Sequence, residues 1–129
     1  MLADHIPGLF IATDDPERAR AFYADTLGLP YLGFDGFAHS FRAGPNTLRI
    51  VKPPHRVQAE YTVLGWETPD IAADVAALSA RGVAFERYPF FGDQQDANGI
   101  WSAPGGAKVA WFRDSDGNVL SLAQRADDS

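Results

Sequence analysis

Apolar and polar residues alternate from Ile6 to Thr13, which predicts a strand, and the next fifteen residues change period. There Ala19, Phe22, Tyr23 and Leu27 recur at helical spacing behind Asp15-Pro16, and Gly28 follows. Asp reads as an N-cap, Pro as a first helical residue and Gly as a left-handed stop, so the spacing predicts a helix over 16–27. The same phrase returns in the second half. A strand pattern from Tyr61 to Thr68 meets Pro69-Asp70, a helix over 70–81 presents Ile71, Val75 and Leu78 on one side, and Arg81-Gly82 ends it. Asp15 aligns with Asp70 and Gly28 with Gly82, offsets of 55 and 54 residues, so the chain is a tandem repeat.

Extended segments follow each helix. In the first half they are Pro30 to Phe34, Phe37 to Ala43 and Thr47 to Lys52; in the second they are Val83 to Tyr88, Ile100 to Ala103, Lys108 to Arg113 and Asn118 to Gln124. The run Pro53-Pro54-His55-Arg56 connects the halves, because successive prolines cannot extend a sheet ladder. The expectation is an α+β fold: one domain of two tandem βαβββ modules, about 1–54 and 57–126, whose mixed sheets curl around a cavity.

Composition narrows the partners. Cysteine is absent, which removes disulfide and thiolate chemistry. Seventeen acidic against eleven basic residues give a net charge of -6, which opposes the phosphate backbone of nucleic acid. No apolar run approaches the roughly 20 residues of a membrane span, and Met1 to His5 lacks the basic and apolar parts of a signal peptide. The expected partner is a small molecule, without nucleic acid or membrane, and the expected location is the cytoplasm.

Four motifs in order carry a resemblance. They are Asp15-Pro16-Glu17-Arg18-Ala19-Arg20-Ala21-Phe22-Tyr23 with Leu27-Gly28-Leu29; Gly65-Trp66-Glu67 with Asp70-Ile71-Ala72-Ala73; Ala80-Arg81-Gly82-Val83; and the turn from Asp114 to Asn118 inside Trp111 to Leu122. Together they resemble the vicinal oxygen chelate superfamily, which includes glyoxalase I, extradiol dioxygenases and bleomycin resistance proteins, over essentially the whole chain. In metal-dependent members a His lies seven residues before each capping Asp, and a ligand, commonly Glu, closes each module. By that resemblance the four places fall here on Gly8, Val63, Arg49 and Ser121. Two have no donor, one is a cation and one is a hydroxyl, so neither a metal nor another cofactor is expected.

If position 63 faces inward, strand parity puts Val63, Gly65 and Glu67 on the cavity side and Leu64 and Trp66 on the helix side; in the first half Gly8, Phe10 and Ala12 face inward. Arg49 and Glu67 would then either neutralise one another or contact a ligand, Arg49 holding a carboxylate and Glu67 accepting a proton from a buried position. The loop Tyr88 to Gly99 reads as a cavity rim, a dimer contact, or a segment that tucks its Phe rings into the core. The ligand-binding candidates are Arg49, Glu67, Trp101, Phe91, His39 and Ser121. His39 is more simply a packed or hydrogen-bonded residue, and His5 and His55 are solvated. Glu17, Arg18 and Arg20 read as a solvated helix face.

The resemblance implies a metal-free binding protein of the bleomycin resistance type, sequestering a drug or metabolite, and a homodimer that covers exposed sheet edges. The alternatives are a glyoxalase-like metal-dependent lyase, isomerase or dioxygenase with a displaced Zn, Ni, Mn or Fe site, and an interaction domain whose cavity is filled by its own side chains.

Overall fold

A computed structural model describes residues 1–126. Its internal contacts divide the chain into two compact units, Met1–Gln58 and one that begins at Ala59, and each repeats one plan. The first unit contains β1 (Leu9–Ala12), α1 (Pro16–Ala21), β2 (Tyr31–Phe34), β3 (Ala38–Ala43) and β4 (Asn46–Val51). The second contains β5 (Thr62–Glu67), α2 (Ile71–Ala80), β6 (Trp101–Ser102), β7 (Lys108–Arg113) and β8 (Val119–Gln124). Each forms a four-stranded sheet, ordered β1-β4-β3-β2 and β5-β8-β7-β6. The first strand of each unit pairs in parallel with the last, and the other pairings are antiparallel. The fold is α+β with two tandem modules of mixed sheet.

The repeat holds at the level of single hydrogen bonds. Asp15 accepts from the Arg18 N–H at 3.2 Å and Asp70 from the Ala73 N–H at 3.1 Å. Thr13 and Thr68, two residues earlier, accept from the N–H of each capping Asp at 3.0 and 3.1 Å. These bonds satisfy donors that every helix start leaves open. At the far ends Gly28 and Gly82 hold φ of 73° and 93°, where a Cβ would be strained.

Alternation then decides the faces. In the first module Ile11, Phe41, Leu48 and Ile50 are buried with Ala19 and Tyr23 of the helical segment. In the second, Ala110, Phe112, Leu120 and Leu122 are buried with Ile71 and Val75 of α2. Each module therefore buries one sheet face under its helix, and every second strand residue stands on the opposite face.

Two sequence expectations change. The predicted helix over 16–27 is α-helical only to Ala21 and continues as a π-helical turn over Phe22–Thr26, with the Leu27 N–H bonded to the Phe22 carbonyl at 3.0 Å. The predicted strand Val83 to Tyr88 is not a strand. It makes one isolated bridge, Phe85 to Phe112, and one further bond from the Glu86 N–H to the Trp111 carbonyl at 2.7 Å. Phe85 stacks edge-on against Phe112, which fixes this segment by its ring rather than by a ladder. Among the described residues no helix is long and apolar enough to cross a membrane.

Candidate functional site

On the face of the second sheet away from α2, three residues lie side by side across the strands. Gly65 pairs with Ser121, and Ser121 pairs with Trp111. Gly65 has no side chain, and a Cβ built there would stand 2.5 Å from Ser121 Oγ, so the row is low at that point. At Trp111 it rises into a group of rings. Phe91 stacks on Trp101 with centroids 4.5 Å apart and planes 19° from parallel, and on Trp111 at 5.6 Å and 16°. Tyr88 meets Trp111 edge-on at 5.4 Å. Phe91, Trp101 and Trp111 are each half-buried, whereas Phe90 is 79% exposed. Neither core packing of both Phe rings nor a simple open rim describes the loop: Phe91 completes an aromatic shelf and Phe90 stands beside it in solvent.

The shelf is held by a residue that sequence reasoning missed. Gln95 is buried; its Oε1 accepts from the Tyr88 N–H at 2.9 Å, and its Nε2 donates to the Glu86 and Gly99 carbonyls at 2.8 and 2.9 Å. One amide thus ties both ends of the segment that carries Phe91, which folds over Pro89–Gln94 as two short 3₁₀ turns broken at Gly92, φ 57°. The only signal in the sequence was a Gln within a polar run. Two residues beyond Trp111 on β7, Arg113 donates to Glu86, to Glu60 at 3.1 Å and to the Gly117 carbonyl at 2.9 Å. The two carboxylates push the guanidinium pKa further up, while burial and the nearby Glu86 raise that of the Tyr88 phenol. Tyr88 is therefore a neutral ring at physiological pH.

In the first module the equivalent row is Phe10, Arg49 and Ser40. Arg49 pairs with Asp35 at 2.8 Å, and Glu67 is gripped by Arg125 at 2.7 and 3.0 Å. Of the two alternatives for Arg49 and Glu67, mutual pairing is replaced by two separate pairs. Each charge has a partner within its own module, and Glu67 is exposed instead of buried. Asp35 also accepts from the Phe37 and Ala38 N–H groups at 2.9 Å each. With the Arg49 hydrogen bond as the largest cause, these hold its carboxyl well below the usual range.

His39 lies on the helix side of its sheet, opposite Ile50, and is buried, as the packing expectation had it. Tyr31 Oη lies 2.7 Å from its Nδ1 and Glu17 Oε1 lies 3.5 Å from its Nε2. The helix carboxylate read as solvated therefore reaches a buried imidazole. His5 and His55 are exposed.

A divalent ion needs several N, O or S donors converging on one point. Of the four places implied for it, Gly8 and Val63 offer no side-chain donor, Arg49 is a paired cation and Ser121 a neutral hydroxyl. Among the described residues no three His, Asp or Glu come together to hold a metal. The donor set at these places does not fit the ion.

The order of elements, the repeated caps and the mixed sheets are matched by a family model covering residues 3–122, that of the Glyoxalase/Bleomycin resistance protein/Dioxygenase superfamily. The chain belongs to this superfamily. Among similar solved structures of the superfamily fold, TnmS3, an antibiotic binding protein from Streptomyces sp. CB03234, is 27% identical with a TM-score of 0.71, over 96% of this chain and 98% of that one. A superfamily member from Sphaerobacter thermophilus DSM 20745 is 20% identical at a TM-score of 0.73, over 97% and 100%. Lactoylglutathione lyase from Agrobacterium tumefaciens is 20% identical at 0.69, over 94% and 93%. None of the curated proteins matches the chain. The superfamily thus includes both enzymes and binding proteins, and the side chains of this member must decide between them.

Proposed function

We propose that this superfamily member is a metal-free small-molecule-binding protein that sequesters a partly aromatic drug or metabolite. The observation that carries the reading is the half-exposed shelf of Phe91, Trp101 and Trp111 beside Ser121, a stacking surface with a small polar group at its edge. Stacking requires neither a nucleophile nor a Lewis acid, and this suits a module whose nearby charges, Arg113, Glu86 and Glu60, are spent on one another. Likeness to an antibiotic binding protein supports the same reading. The metal-dependent alternative, a glyoxalase-like lyase, isomerase or dioxygenase, lacks support from the donor set.

The working unit in this proposal is a cytoplasmic homodimer. Phe10 and Leu32 of the first module are each more than half exposed, apolar surface that a second copy would cover. Light scattering at micromolar concentration should give twice the chain mass; a monomer would count against it.

The binding proposal is tested by tryptophan fluorescence. All three Trp residues, Trp66, Trp101 and Trp111, lie in the second module, and two of them are in the shelf. Titration with a library of aromatic compounds should give saturable quenching for some, abolished by Trp101→Ala. Stoichiometric zinc, nickel, manganese or iron in protein purified without chelator or nickel resin would overturn the metal-free part.

A further inference from the structure

The first module contains a cavity that the proposed shelf does not use. It is open to solvent on the helix side of its sheet, has a volume of about 650 Å³, and is lined by Glu17 and Arg20 of α1, Tyr31 and Phe34 of β2, His39 of β3, and Lys52 just after β4. That volume is within the roughly 300 to 1,000 Å³ of small-molecule sites.

Three features of its wall point to a ligand. The first is a continuous polar chain. Tyr31 Oη meets His39 Nδ1 at 2.7 Å, His39 Nε2 faces Glu17 Oε1 at 3.5 Å, and Glu17 Oε2 accepts from Arg20 Nε at 3.1 Å. Arg20 in turn lies over the Tyr31 ring, 5.7 Å from its centroid, so the chain closes on itself. The one carboxylate in the wall is thus neutralised by Arg20. The second is Lys52, an exposed ammonium that makes no ion pair among the described residues. Two cations against one carboxylate leave this cavity positive in a protein of net charge -6. The third is apolar. The rings of Phe34 and Phe37 line the same cavity and are 59% and 66% exposed, with Tyr31 at 40%.

We propose that this cavity is a second binding site, separate from the aromatic shelf, and that it takes a planar aromatic carboxylate. The carboxylate is held by Lys52, the ring lies against Phe34 and Phe37, and the Tyr31–His39–Glu17 chain forms the fixed back wall. His39 is 5% exposed and its Nδ1 lies 2.7 Å from Tyr31 Oη, so burial and this hydrogen bond hold the ring in that wall, with Glu17 Oε1 3.5 Å from its Nε2. Arg20 is not the anchor, since it is already committed to Glu17 and Tyr31.

The two modules make the test clean, because the first contains no tryptophan. Naphthoate and its neutral counterpart naphthylmethanol are titrated into the isotope-labelled full-length protein and followed by heteronuclear NMR and by tryptophan fluorescence. The expected result is saturable movement of the Tyr31, Phe34 and Lys52 amides and of the His39 ring signals on adding naphthoate, with unchanged tryptophan emission. Lys52→Met should weaken naphthoate by about tenfold, the worth of one charge-assisted contact, and leave naphthylmethanol unchanged. Phe37→Ala should weaken both. Perturbation confined to residues around Trp101 and Trp111, no saturation, or an equal effect of Lys52→Met on both compounds would each overturn the proposal. Failure here would leave the shelf reading intact, since that reading is judged by quenching of Trp101.

Discussion

Replacing Asp114 by Ala should destabilise this protein more than any other single change in the turn that joins β7 to β8. Asp114 is only 6% exposed, and its carboxylate accepts from the Asp116 N–H at 2.8 Å, the Asn118 N–H at 2.9 Å and the Asn118 side-chain amide at 2.9 Å. Hydrogen bonds to a charged group are worth about 1.5 to 3 kcal/mol each, so three taken independently would sum to several kcal/mol. They are not independent. The carboxylate also repays its own desolvation when removed, and water can enter the space it leaves. A net loss of about 3 to 4 kcal/mol is the reasoned value, out of a total stability of roughly 5 to 15 kcal/mol for a domain. For a chain of this length that corresponds to a melting midpoint lower by about 10 to 18 °C.

The paired control is Asp114→Asn. It keeps one oxygen for the two backbone donors and loses the bond to the Asn118 amide, where two NH₂ groups would now face each other. It should therefore cost about 1 to 2 kcal/mol, less than the Ala variant. Urea denaturation followed by circular dichroism measures both. Either a loss under 1 kcal/mol for Asp114→Ala or a larger loss for the Asn variant would show that the turn is held by its backbone alone, and the reasoning would fail.

Other expectations rest on single observations. The folded pKa of Asp35 lies below its ordinary 3.8, chiefly because of Arg49, so its contribution to stability is complete above the unfolded value and is lost as pH falls through the folded one. Asp35→Asn should therefore flatten the fall in urea midpoint below about pH 4, and an unchanged pH profile would mean the pair with Arg49 contributes nothing to folding. Gly99 sits at φ of 91°, and a Cβ there would lie 2.9 Å from the Cβ of Phe85, so Gly99→Ala should cost about 1 to 3 kcal/mol by denaturation. Phe91→Ala removes two stacked contacts and should weaken any ligand that quenches Trp101, at roughly 0.5 to 1.5 kcal/mol per lost aromatic pair, with little change in the far-ultraviolet spectrum.

What could be read from the sequence was whatever depends on neighbours along the chain. Capping by Asp15 and Asp70, the glycine stops, and the alternation that put Val63, Gly65 and Glu67 on one face are local, and the structure keeps them. Strand Val83 to Tyr88 failed for the opposite reason. The segment meets β7 at a single bridge, Phe85 to Phe112, and a ring contact at Phe85 takes the place of a ladder. Charge pairing was the least legible. Arg49 could reach any carboxylate that the turn before β3 delivered, and Asp35, fourteen residues away, was the one, while Glu67 found Arg125 across 58 residues. The same holds for the polar chain through His39. The sequence leaves His39 facing either the cavity or the helices, and Glu17 reads as part of a solvated helix face; the register puts His39 opposite Ile50 on the packed side, and Glu17 stays exposed while one of its oxygens approaches the ring. One Glu17 oxygen accepts from Arg20 at 3.1 Å and the other lies 3.5 Å from the imidazole Nε2. A residue can thus be solvent-exposed by area and still complete a buried network by a single atom, and neither periodicity nor composition registers one atom.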